Sequence, residues 1–328
     1  MSELTKFRAN AQRRRDRARE TPVTPRSRPR KRSHPATPLD VTPEQQARIK
    51  NFPQHDADGA ANADWLASRK FRFTGSNVAK LFGYGFISYQ RNETVNSVRD
   101  AYVAKVRGDA EEKFDDRARQ YMAWGNDHED IAEEAFKQCV FHTAAYQGAE
   151  ISHMGLYVST NRGWGCLGAS PDGILTRRDA AGNDVRELIE IKCPATWEKK
   201  QGVPTIYPRW KGYLRKGEKL DGVDFPIPKY YYCQVQYNMA VLGIHTRCHF
   251  IVWAPTEATG WSWTPAEGSV KPADYHPRRW RLAHTVIPYN KEFAERLVHG
   301  AIAIWNEQVK PAYEQHIESG AAAATKSP

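Results

Sequence analysis

The chain has 328 residues, with 48 Lys and Arg against 38 Asp and Glu, a formal charge of +10. No run of about 18 apolar residues occurs, which excludes a helical membrane span, and the N-terminus lacks the apolar stretch of a secretory signal. Five widely spaced cysteines (Cys139, Cys166, Cys193, Cys233 and Cys248) form neither a CxxC pair nor a dense disulfide pattern, as suits a reducing intracellular setting.

The charge is unevenly spread. Residues 1–32 hold twelve bases and three acids, or +9, so the remaining 296 residues carry only +1; all ten tryptophans fall at or after Trp65. Residues 1–60 read as a disordered basic tail, because Arg, Pro, Ser and Thr supply too little apolar surface to offset chain entropy. Arg28-Pro29-Arg30-Lys31-Arg32 has the composition of a nuclear-localisation cluster, and equally of a non-specific DNA contact or a merely solvated tail. Glu3, Asp16 and Glu20 argue against an organelle transit peptide. The expected location is intracellular, with a nucleus (the host's, for a viral protein) as the compartment the tail points to.

The ordered body is expected over 61–318, followed by a frayed tail at 319–328. Order begins near Trp65. Thr74-Gly75-Ser76-Asn77 before Val78, Leu81 and Phe82 predicts a capped helix, and 93–106 and 116–139 have helical spacing. A strand is expected at 150–160. A hairpin follows, with arms near Ile174-Leu175 and at Glu187–Cys193 around a turn at 180–184. The proline-rich stretch 195–228 reads as loop, 229–243 as a helix, His249–Trp253 as a buried strand and Lys291–Glu314 as a final helix.

Chemistry concentrates in Gly168-Ala169-Ser170-Pro171-Asp172-Gly173 and Glu190-Ile191-Lys192. A strand repeats every two residues, so Glu190 and Lys192 share one face while Ile189 and Ile191 point into the core. An antiparallel hairpin brings Asp172 beside Glu190. Two carboxylates and an ammonium at one sheet end compose a site for a hard divalent cation, which activates water and neutralises charge on a scissile phosphate. The plain alternatives are a solvated Glu-x-Lys face and an Asp-Gly turn. The charged pair interrupts Leu188-Ile189 and Ile191, where burial is expected, and this favours the site.

Asp172 and Glu190-x-Lys192, eighteen positions apart, match the PD-(D/E)xK nuclease signature. The fuller Ala169-Ser170-Pro171-Asp172-Gly173 and Glu190-Ile191-Lys192-Cys193-Pro194 resemble the λ exonuclease or YqaJ-type viral recombinase branch, which includes viral alkaline nucleases. Further resemblances lie in Arg72-Phe73-Thr74-Gly75-Ser76-Asn77, Trp124-Gly125-Asn126-Asp127-His128-Glu129 and Tyr232-Cys233-Gln234-Val235-Gln236-Tyr237. They continue through Ile251-Val252-Trp253 and a last helix with Trp305, and together cover roughly 65–310. The resemblance implies an α/β fold with a restriction-endonuclease-like core, a central mixed β-sheet flanked by helices.

By the same resemblance, Asp172 and Glu190 ligate one or two Mg²⁺ ions, with Mn²⁺ as the alternative, and the Ile191 carbonyl adds a ligand. Lys192 polarises the attacking water, Gln234 positions it and Glu129 adds a metal-site carboxylate. Arg72, Ser76 and Ser170 hold the terminal phosphate. Plainer roles stand beside these: Glu129 as an exposed helix acid, Ser76 as a helix cap, Gln234 as a buried hydrogen bonder. Some members of that family place an Arg shortly after the Glu-x-Lys strand to bind the 5′-phosphate; here Lys199 and Lys200 offer point charges without the bidentate fork. Strict dependence on a 5′-phosphate is therefore not implied.

Residues 198–220 carry a local +5, with Lys199, Lys200, Arg209 and Lys211 interleaved with Tyr207, Trp210 and Tyr213. Cations beside stacking rings suit a DNA strand end, and a solvated basic loop is the alternative. No GxxxxGK[ST], HExxH or iron–sulfur cysteine pattern occurs. The activity implied is a Mg²⁺-dependent exonuclease on duplex DNA with free ends, running 5′→3′ and serving recombination or viral DNA processing. A structure-selective endonuclease and a non-catalytic DNA-binding protein are the alternatives. The resemblance admits a single-strand annealing protein as partner, and either a trimer of the chain or a monomer.

Overall fold

Alternating side chains in Leu188-Ile189-Glu190-Ile191-Lys192 give one strand two inward faces, and the sheet around it is covered on both. In the computed structural model, residues 39–54, 62–85, 94–109, 116–161, 163–200, 203–208, 218–220, 223–255 and 280–324 are described. The helices are α1 (Pro43–Ile49), α2 (Ala63–Arg69), α3 (Gly75–Leu81), α4 (Val95–Arg107), α5 (Asp116–Val140), α6 (Lys229–Leu242), α7 (Lys291–Ile304) and α8 (Lys310–Ala324). The strands are β1 (Glu150–Ser152), β2 (Tyr157–Val158), β3 (Gly168–Ala169), β4 (Gly173–Arg178), β5 (Asp184–Lys192), β6 (Ala195–Lys200), β7 (Val203–Pro208), β8 (Glu218–Leu220), β9 (Val223–Phe225), β10 (Arg247–Pro255) and β11 (Trp280–Pro288).

The central sheet has the order β1-β4-β5-β10-β11. Only β5 and β10 pair in parallel; the other neighbours are antiparallel, so the sheet is mixed. The parallel pair requires a crossover, which α6 supplies. One sheet face carries Ile174, Leu188, Cys248, Phe250 and Val252 and packs with α3, α6 and α7. The other carries Leu175, Ile189, Ile191, Ile251 and Trp253 and packs with α5. On α5 the buried apolar residues are Ala132, Ala135, Phe136, Cys139 and Val140, a stripe at helical spacing. α6 is buried nearly all round and ends at Gly243, whose φ of 66° is the left-handed cap conformation.

The expected mixed sheet flanked by helices is the fold observed. The hairpin forms between β4 and β5 as expected, turning at Gly182 (φ 83°). Four expectations are corrected. Order starts before Trp65: Val41, Ile49 and Phe52 pack against Trp65, Leu156 and Val158, and a Thr42–Gln45 capping box starts α1. The rest of the assigned tail, 1–38 and 55–60, lies outside the described residues. The strand expected at 150–160 is divided at Gly155, where a Cβ would lie 1.7 Å from the Phe52 carbonyl oxygen, so only glycine permits the approach. The stretch expected as loop, 195–228, contains two hairpins, β6–β7 and β8–β9. The last helix passes through a π-helical segment at Trp305–Val309 and continues to Ala324. Pro311 has no N–H for the usual i→i−4 bond, which accounts for the local widening.

Candidate active site

The backbone around Phe73 assembles the site. Phe73 donates its N–H to the Cys166 carbonyl and accepts from Gly168 N, each at 2.8 Å. Its ring is fully buried and packs on Tyr102 and Trp305, while Tyr237 Oη donates to its carbonyl at 2.8 Å. This tie sets α3, and the chain on either side of it, beside Ser170 and Asp172. Gly75 then lets α3 approach α6: a Cβ there would lie 2.5 Å from Asn238 Oδ1.

Asp172, Glu190, Lys192 and Gln234 converge. Register places Gly173 opposite Ile189, so Asp172 meets the next turn of the β5 pleat. Asp172 Oδ2 accepts from the Ile191 N–H at 2.6 Å. Glu190 Oε1 accepts from Lys192 Nζ and from Gln234 Nε2, each at 2.5 Å. Lys192 Nζ also stands 3.6 Å from Asp172 Oδ2. Glu190 is fully buried, and its Oε2 has no hydrogen-bond partner among the described residues.

Charge is concentrated here. Burial, then Asp172, push the Glu190 carboxyl up to about 8, and the same two causes push half-buried Glu129 up to about 7. Burial alone would depress Lys192, but Glu190 and Asp172 hold its ammonium well above the usual lysine range. Three carboxylates thus share one ammonium. A divalent cation fits this donor set: the partnerless Glu190 Oε2 and Asp172 are hard oxygens, and Mg²⁺ takes one or two carboxylates with water completing its shell. Among the described residues, no three His, Cys, Asp or Glu side chains form a metal cluster. Cys193 is buried beside the site with its thiol pushed up by burial, as a packing residue rather than a nucleophile.

A cavity of about 130 Å³ opens next to Asp172, lined by Gln54, Arg69, Thr74, Gly75, Ser76, Ser170, Gln234 and Asn238. Arg69 Nη2 donates to Thr74 Oγ1 at 3.2 Å and to Ser76 Oγ at 3.1 Å. Ser170 Oγ and Asn238 Oδ1 are buried without partners among the described residues. One guanidinium, three hydroxyls and amides around a small cavity favour a tetrahedral oxyanion.

The expected Arg72 is not at this cavity. It is 4% exposed and donates to three backbone carbonyls: Gly165 at 2.9 Å, Ser68 at 2.5 Å and Leu39 at 3.3 Å. A guanidinium so consumed ties segments together, and the arginine that lines the cavity is Arg69. Sequence offered Arg69, Lys70 and Arg72 together; the cue for Arg69 was Trp65 one turn earlier, on whose ring its guanidinium stacks at 4.2 Å. Asn238 was also missed, although it follows Gln234 by four residues on α6 and so shares its face. Glu129 comes from α5, the helix on the other sheet face, and reaches the site electrostatically. Lys199 and Lys200 end β6, opposite Pro204 and Val203. Their side chains, and Arg209, Trp210 and Lys211 altogether, lie outside the described residues.

A mixed sheet with Asp, Glu and Lys gathered at one strand end defines the PD-(D/E)xK class. The sequence profile of the YqaJ-like viral recombinase domain matches residues 64–249, more than half of the chain, and the chain belongs to that family. Among solved structures, an alkaline exonuclease (LHK-Exo) from Laribacter hongkongensis is similar, with 19% identity and a TM-score of 0.45, over 80% of this chain and 98% of that one. LHK-Exo in complex with dAMP matches at 18% identity and a TM-score of 0.44, with the same coverage. The Shutoff and Exonuclease Protein of Kaposi's sarcoma-associated herpesvirus matches at 11% identity and 0.38, over 78% of this chain and 71% of that one. No curated protein matches the chain.

Proposed function

We propose that the chain is a metal-dependent exonuclease that hydrolyses phosphodiester bonds at the ends of duplex DNA, in the 5′→3′ direction. Membership of the viral recombinase family supports DNA as the substrate. The observation that carries the reading is the oxyanion cavity of Arg69, Thr74, Ser76 and Ser170, directly beside Asp172. A phosphate held there puts the neighbouring phosphodiester at the carboxylates, which is how an end is counted one nucleotide at a time.

Asp172 and Glu190, with the Ile191 carbonyl, would hold Mg²⁺ or Mn²⁺, which when bound lowers the pKa of water and neutralises charge on the phosphate. Lys192, held cationic between the two carboxylates, orients the attacking water and stabilises the developing negative charge. Gln234 donates to Glu190 Oε1 and so fixes that carboxylate's rotamer. Arg69 and the hydroxyls orient the strand end, and their fixed dipoles need no reorganisation during reaction.

The test uses duplexes labelled at either end, with and without a 5′-phosphate, in Mg²⁺ and in EDTA. Mononucleotides released in Mg²⁺ from the 5′ end, faster with a terminal phosphate, are expected. Cleavage of closed circles would replace the reading with an endonuclease. Absence of Mg²⁺-dependent cleavage on every substrate would leave a binding protein.

A further inference from the structure

Outside the residues already assigned, one chain of contacts leads into the site from α5. Glu133 is 8% exposed and lies one helical turn after Glu129, on the same face. Its two oxygens are divided. Oε1 takes Lys137 Nζ at 2.6 Å, and Oε2 takes His153 Nε2 at 3.2 Å. The other ring nitrogen, His153 Nδ1, bonds the Asp172 carbonyl oxygen at 2.9 Å. A carboxylate and a carbonyl offer only acceptors, so each ring nitrogen is the donor in its bond.

His153 follows β1, the edge strand, whose Ser152 pairs with Ile174. The imidazole therefore bridges α5 on one side and the Asp172 peptide on the other. Beside it, among the described residues, the Ser170–Asp172 segment is held by the Ile191 N–H, the Lys192 ammonium at 3.6 Å and the weak 3.5 Å contact of Gln54 Nε2 with the Pro171 carbonyl.

We propose that Glu133 and His153 form a clasp that positions Glu129 against Asp172 and so sets the affinity of the carboxylate site for a divalent cation. This rests on the reading of Asp172 and Glu190 as metal ligands. His153 is a positioning residue: it touches the backbone of a ligand and leaves the reacting atoms to others. Partners of this kind typically change metal affinity or activity by about 10- to 100-fold when removed.

The experiment is titration of the full chain with Mn²⁺ alone, without DNA, followed by calorimetry or the loss of free Mn²⁺ signal. Wild type, Asp172→Ala, His153→Ala, Glu133→Ala, the His153/Glu133 double variant and Lys137→Ala are compared. His153→Ala is expected to weaken Mn²⁺ binding about 10-fold, with Tm moved by no more than about 2 °C, because the imidazole is largely exposed. Glu133→Ala is expected to weaken Mn²⁺ binding to the same extent, and the double variant no more than either, since the two act through one chain of contacts. Lys137→Ala, on the other oxygen of Glu133, should bind as wild type does. In turnover, the Mg²⁺ half-saturation point should rise while KM for DNA holds. Wild-type Mn²⁺ affinity in His153→Ala, or additive losses in the double variant, would overturn the clasp. Absence of Asp172-dependent Mn²⁺ binding in wild type would remove the metal reading and the clasp together.

Discussion

On the α5 side of the sheet, Glu187 is fully buried and gathers Arg177 at 2.8 Å, Arg247 at 3.2 Å and His249 Nε2 at 2.7 Å. His249 Nδ1 in turn lies 2.8 Å from His284 Nε2. One nitrogen of that pair must accept, so the two facing nitrogens cannot both carry a proton. Burial first, then His249, push the His284 imidazole from the usual 6.5 down to about 3, with Glu187 opposing. A folded value depressed below the unfolded one favours folding fully above pH 6.5, and the gain is lost as pH falls toward 3. Between pH 7.5 and 5.0 the unfolded chain gains nearly one proton that the folded chain refuses. At about 1.4 kcal/mol per pH unit below 6.5, His284 alone removes about 2 kcal/mol of stability over that window. Glu187, whose carboxyl is held below 4.5 by His249 and Arg177 against its burial, acts at lower pH and does not contribute here. Urea unfolding of wild type and His284→Leu at the two pH values measures the difference. Wild type should lose about 2 kcal/mol more than the variant. Equal losses, within about 0.5 kcal/mol, would show that His284 is protonated in the folded state and refute the reasoning.

Lys192→Ala should lower turnover at least about 100-fold while DNA binding persists, measured by single-turnover digestion beside a binding titration. Glu190→Gln should abolish digestion yet raise the metal-free Tm at pH 8.5. The folded carboxyl titrates near 8 instead of 4.5, so its stabilising protonated form is lost as pH rises through 8, and the amide escapes that loss. Arg69→Ala and Arg72→Ala should separate by phenotype. The first should reduce the rate advantage of a 5′-phosphate about 10-fold at unchanged Tm. The second should cost about 3 kcal/mol of stability in urea, because three carbonyls lose a buried cationic donor.

The hairpin that carries Glu190 and Lys192 was legible because its signal is local. Asp172-Gly173 and Leu188–Lys192 encode strand, turn and alternation within twenty-one residues, and the observed register follows from them. β11 escaped because Trp280–Pro288 mixes Arg, His and Thr into its alternation; His284 is buried only through its pairing with His249 and its packing on Phe136. The hairpins at 195–225 were hidden by their prolines, which usually argue against a strand and here sit at Pro204 and Pro208 of a two-stranded ribbon, where half the N–H groups face outward.

Sequence by itself determined the class of the protein, its helix–sheet alternation and the meeting of Asp172, Glu190 and Lys192, because motif chemistry and period-two alternation are local properties of the chain. It also showed that the +10 charge sits mainly in the first 32 residues and says little about the body. Tertiary structure decided which arginine meets the cavity. Arg69 and Arg72 are three residues apart and chemically identical; their tertiary contacts hold one against Ser76 and the other on the Gly165, Ser68 and Leu39 carbonyls. It also decided that α5 is joined to Asp172 through His153, since Glu133, His153 and Asp172 are about twenty residues apart from one to the next and only folding makes them neighbours.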